Sequence, residues 1–92
     1  MIKGKTSSGF EYTIEEDARD DMELLEALID LDNGNMGGLK QTIELLLGPE
    51  QKTALYEFHR NKETGRVSAK KVMSEFSEIL KGAGEQGGAT KN

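Results

Sequence analysis

The sequence predicts a small α+β domain, mainly α, in which an N-terminal two-stranded β-hairpin is followed by about four short helices and a disordered C-terminal tail. Three observations predict it. Polar and apolar side chains alternate within residues 2–6 and 10–14, on either side of a Ser-Ser-Gly break. Apolar side chains then recur at spacings of three and four as far as Leu80. Residues 82–92 hold four glycines and no large apolar group. A chain of 92 residues has room for one core, so residues 1–82 form a single domain and residues 83–92 a flexible tail.

The hairpin spans residues 2–14. Gly9 suits the positive φ of a tight connection, and Phe10, Tyr12 and Ile14 share one face opposite Glu11 and Thr13. A lone hairpin is marginal in water, so this face must rest on helices or on another copy of the chain. The first helix covers about 20–31, with Asp20 as N-cap, Glu23 three places on, and a stripe of Met22, Leu25, Leu28 and Ile29 widened by Leu24 and Leu31. Asp32-Asn33-Gly34 ends it. The second helix, 37–47, turns Leu39, Ile43, Leu46 and Leu47 inward, and Gly48-Pro49 breaks the chain. The third, 49–61, buries Ala54, Leu55 and Phe58 and closes at Thr64-Gly65. The fourth, 68–81, is capped by Ser68, with Val67 placed to staple onto Val72. It buries Val72, Met73, Phe76, Ile79 and Leu80 and stops at Gly82.

Composition narrows function by exclusion. The absence of cysteine removes disulfide scaffolds, thiolate zinc sites and thiol nucleophiles, and fits a reducing compartment. Leu, Ile, Val and Phe together number 20 of 92, enough to fold with little surplus. The net charge of −5 argues against nucleic-acid binding, and the acidity is local: residues 15–32 carry nine acids against Arg19. No apolar run of membrane-spanning length and no secretion-signal layout occurs, so neither membrane nor export is expected and the chain is read as cytoplasmic.

Motifs that hint at chemistry have simpler explanations. Asp30-Leu31-Asp32-Asn33-Gly34-Asn35 suggests a calcium loop, but counting from Asp30 puts Asn35 at the glycine position and Gln41 where a bidentate Glu belongs. Gly4-Lys5-Thr6 lacks the upstream glycine and following helix of a phosphate loop. His59, the single histidine, has no cysteine to complete a zinc site and no Ser elbow beside it, so it is read as a solvated helix histidine. Lys62, Arg66, Lys70 and Lys71 form a basic cluster without interleaved aromatics, suited to the acidic block of a neighbouring copy. No catalytic, cofactor or metal site is expected, and the chain is read as no enzyme.

Several ordered segments carry a resemblance: Lys3-Gly4-Lys5-Thr6, Phe10-Glu11-Tyr12, Asp20-Asp21-Met22-Glu23-Leu24, Leu46-Leu47-Gly48-Pro49-Glu50-Gln51-Lys52, Leu55-Tyr56 and Gly65-Arg66-Val67-Ser68. Together, over residues 2–80, they resemble the small tail assembly chaperone-like proteins of phages and prophages of Gram-positive bacteria. The resemblance implies a non-enzymatic protein of the host cytoplasm. Such a protein binds the aggregation-prone tape measure protein and helps bring major tail protein subunits to it. It also implies short and frameshifted long forms, testable in the codons of Ala89-Thr90-Lys91-Asn92 and the next frame.

That role needs an apolar surface with a charged rim. The candidates are Leu45, Leu46 and Leu47, which cannot all face one side of a helix, together with Tyr56 and the acidic face of Asp20, Asp21 and Glu23. Against this stands the reading of a central helix buried on most of its circumference. A homo-oligomer would also bury surface that so small a core leaves open. The alternatives are an acidic regulatory protein that occupies a basic partner, and a small virion connector component.

Overall fold

The structure, a computed structural model, describes residues 1–87. It contains the expected hairpin and four helices: β1 (Ile2–Lys5), β2 (Glu11–Ile14), α1 (Met22–Asp32), α2 (Leu39–Leu47), α3 (Pro49–Phe58) and α4 (Ala69–Gly87). Short 3-10 turns, Glu16–Asp20 and Met36–Gly38, lead into α1 and α2. The strands pair antiparallel with Ile2 opposite Ile14 and Gly4 opposite Tyr12. Gly9 takes φ 99°, and the turn closes on the Thr6 and Phe10 backbones. Alternation does what it predicts: Phe10, Tyr12 and Ile14 are all buried, and they meet Leu24, Ile43, Leu46, Leu47, Leu55, Val72, Phe76 and Ile79 in one core.

Four boundaries move, each for a local reason. Helix α2 starts at Leu39 and not at residue 37, since Met36–Gly38 form a 3-10 turn in which Asn35 accepts the Gly37 N–H at 3.2 Å. Asp21, not Asp20, caps α1, accepting the backbone N–H of Glu23 at 2.9 Å and of Leu24 at 3.4 Å; Asp20 closes the preceding 3-10 turn. Helix α3 stops at Phe58 and not at Asn61. The Asn61 side chain draws in the N–H groups of Glu63 and Thr64, and Arg60 pairs with Val67 as a single antiparallel bridge. Helix α4 does not stop at Gly82 but runs to Gly87. Gly82 is a packing position: a Cβ there would meet the Tyr12 hydroxyl at 2.8 Å. Ala83, which the sequence places in the tail, is instead a buried residue of α4 and part of the core. Of that expectation, residues 88–92 lie outside the described residues.

Four core assignments are also corrected. Ala54 and Phe58 on α3, Met73 on α4 and much of the α1 stripe face solvent. Helix α3 buries only Leu55 fully, since the chain leaves the core at Phe58. Thr42, which polarity would place outside, is fully buried on α2 with its hydroxyl donating to the Gly38 carbonyl at 2.8 Å. Ser68 receives the N–H of Lys71 at the start of α4, and Val67 packs half-buried against the core.

Candidate functional site

Helix α1 turns only one of its apolar sides inward. Leu24 is buried and Leu28 and Leu31 are half-buried, while Met22, Leu25 and Ile29 remain 63%, 50% and 51% exposed. These three lie at i, i+3 and i+7, so they form a continuous ridge along the helix. Exposed Glu23, Glu26 and Asp30 follow one flank of it, and no Lys or Arg occurs between Arg19 and Lys40. Among the described residues, these three acids enter no ion pair. The stripe was legible in the sequence. Which part of it meets the core depends on how α1 rolls against α2, which periodicity does not encode.

The residues singled out from sequence fall into two groups. A groove of about 540 Å³ brings Asp20 and Asp21 together with Leu45, Leu46 and Leu47, with Met22 also at its edge. Leu46 and Leu47 are buried core residues and Leu45 is half-buried, so α2 is the central helix covered on most of its circumference. Glu23 and Tyr56 stand apart from this groove. Glu23 is on the exposed flank of α1, while Tyr56 is half-buried against the core with Lys52 Nζ 5.4 Å from its ring centre. The same lysine bonds Glu44 Oε2 at 2.8 Å and ties α3 to α2. The Lys52 hydrogen bond, aided by the charges of Lys52 and Lys40, holds the Glu44 carboxyl below its usual range.

A second constellation escaped the sequence reading. His59 is not solvated: its side chain is 8% exposed, and Nε2 lies 3.2 Å from Oε2 of buried Glu75 on α4. Nε2 makes no hydrogen bond across this distance. Glu75 also accepts the hydroxyls of Thr6 at 2.8 Å and Ser8 at 3.2 Å, and one turn on, Glu78 accepts the Ser7 N–H at 2.7 Å and hydroxyl at 3.0 Å. Two carboxylates at i and i+3 on α4 thus hold the hairpin turn. The hydroxyls donate to carboxylate and not to imidazole, an arrangement of a brace and not of a Ser-His relay. The sequence signal was the run Thr6-Ser7-Ser8, three hydroxyls in a turn that needs acceptors once its neighbours are buried.

Beside this brace Phe58 is 46% exposed, its ring edge-on to Phe10 at 5.4 Å and to His59 at 5.1 Å. Phe58, His59 and Lys71 line two adjoining shallow grooves, one reaching Arg66 and the other Lys70. The basic cluster therefore has an aromatic at its centre, contrary to the sequence expectation. Lys62 is exposed in the preceding loop and lines neither groove. Among the described residues no three His, Asp or Glu side chains converge on a metal position, and no helix is long and apolar enough to cross a membrane. Compared with known proteins, the chain matches no family model, no curated protein and no solved structure.

Proposed function

We propose that this chain is a non-enzymatic tail assembly chaperone of a phage or prophage, acting in the bacterial host cytoplasm. It binds the tape measure protein and assists major tail protein subunits to assemble on it. The observation that carries the reading is the exposed ridge of Met22, Leu25 and Ile29 with its acidic flank. A partner helix that aggregates through its apolar stripe is kept in solution by a surface that covers the stripe and presents charge around it. All four methionines of the chain are exposed, and their unbranched, polarizable side chains adapt to varied apolar partners. The deciding experiment is co-expression with a tape measure candidate. The partner is expected to be soluble with the parent chain and insoluble with a Leu25→Ser, Ile29→Ser variant that retains its helical circular dichroism. A partner insoluble beside both chains sinks the proposal.

A second reading draws on Glu23, Glu26 and Asp30, which are spaced along one exposed flank of α1. Such a row suits an acidic regulatory protein that occupies the basic surface of its partner. Pull-down on a basic target separates the two, since charge reversal of the flank abolishes this binding while the Leu25→Ser, Ile29→Ser variant retains it. A connector role makes a different demand, that the chain remain in purified particles.

A further inference from the structure

We infer that the α1 ridge is covered by the outer face of α4 from a second copy of the chain. On α4, Ala69, Met73, Ser77 and Leu80 follow one another at spacings of four, four and three, so they form a single face. Ala69, Met73 and Ser77 are exposed and Leu80 is half-buried, although Met73 and Leu80 are large apolar groups. Lys70 and Lys81 border this face at its two ends and are exposed. The acids of the same stretch are turned elsewhere: Glu75 and Glu78 hold the hairpin turn through Thr6, Ser7 and Ser8. One helix thus offers an apolar ridge flanked by carboxylates with no base, and the other an apolar face bordered by lysines, the two acids between them, Glu75 and Glu78, being engaged with the hairpin turn.

Complementarity of sign fixes the occupant and the orientation. Two α1 ridges facing each other would set Glu23, Glu26 and Asp30 against their own copies, and two α4 faces would oppose lysines; α1 against α4 removes both repulsions. The small side chains of Ala69 and Ser77 allow close approach beside Met73, and the Met22, Leu25 and Ile29 ridge seats between Met73 and Leu80 as ridge into groove. Each copy carries one ridge and one α4 face, so the contact repeats, either reciprocally across a two-fold axis or from copy to copy. A single helix pair buries less than a standard stable interface, so association is weak and concentration-dependent. The inference stands on the ridge itself and not on the tail-assembly reading, and its test needs no partner protein.

The test is sedimentation equilibrium of the full chain from about 10 μM to about 1 mM, the range where weak interfaces populate. The parent chain is expected to show an average mass rising with concentration. A Glu26→Lys, Asp30→Lys variant and a Lys70→Glu, Lys81→Glu variant are each expected to stay monomeric, with unchanged circular dichroism. An equimolar mixture of the two variants is expected to associate again, a rescue that misfolding cannot produce. A parent chain monomeric throughout overturns the inference and leaves the ridge to a different protein. Undiminished association in either variant alone, or a monomeric mixture, overturns it as well.

Discussion

The Tyr12 hydroxyl lies against the backbone of Gly82, so close that a Cβ built on the glycine would stand 2.8 Å from it. Two effects of known sign therefore compete in Gly82→Ala. Alanine gains about 1 kcal/mol of helix propensity over glycine in a helix interior. Overpacking a buried ring costs about 1–3 kcal/mol. The expected result is net destabilisation by about 1 kcal/mol in the parent chain and net stabilisation by up to about 1 kcal/mol in a Tyr12→Phe background, where the hydroxyl is gone. Urea unfolding of the four chains in this double-mutant cycle reads both signs. An equal effect of Gly82→Ala in the two backgrounds would show that Tyr12 is not what keeps residue 82 a glycine.

Tyr12 also links the fold to alkaline pH. Burial, and then the negative charge of Glu78, raise its phenol above the ordinary value of 10.0. The folded chain holds the neutral phenol more firmly than the unfolded chain does. Stability from this group is complete below pH 10, falls once the unfolded chain begins to ionise there, and is gone above the folded value. Urea midpoints taken from pH 8 to 11 should fall more steeply for the parent than for Tyr12→Phe. Parallel curves would remove Tyr12 from the alkaline transition.

The hairpin was legible because period two is a strict code: placing Tyr12 inward places Phe10 and Ile14 inward as well. The helices were legible as elements, and Gly48-Pro49 gave their sharpest boundary, with φ 85° at Gly48 and Pro49 opening α3. What sequence could not resolve was the roll of each helix. Met22, Leu25 and Ile29 belong to the same apolar stripe as buried Leu24, and only packing against α2 divides them. Gly82 was misread for a related reason, since a glycine that ends a helix and one that admits a neighbouring ring look the same in one dimension. His59 and Glu75, sixteen residues apart, are brought together by the α3–α4 turn, and no local spacing announces them.

Phe58 and Phe76 test the corrected core directly. Phe76 is 3% exposed, so Phe76→Ala removes a whole buried ring and should cost about 3–5 kcal/mol. Phe58 keeps an edge-on contact with Phe10 but is nearly half in water, so Phe58→Ala should cost about 1 kcal/mol. Thermal melts place the first far below the parent and the second close to it. Equal losses would return Phe58 to the core.

Glu75 accepts hydroxyls from Thr6 and Ser8 and faces His59 at 3.2 Å, which makes it the point where α4, the hairpin turn and the end of α3 are tied together. Glu75→Ala leaves the buried Thr6 hydroxyl without its acceptor and should cost about 2 kcal/mol. Thr6→Val should cost about 1 kcal/mol, because the Thr6 oxygen also accepts the Phe10 N–H at 3.1 Å and both bonds go with it. Ser8 is exposed and water can replace its bond, so Ser8→Ala should lie within about 0.5 kcal/mol of the parent. Amide exchange distinguishes a brace from ordinary packing. Loss of Glu75 should raise exchange at Ser7 and Phe10 well before it does so at Ile43 in the core, because the turn is released first. If the two regions lose protection together, Glu75 contributes to the global fold and does not specifically hold the hairpin turn.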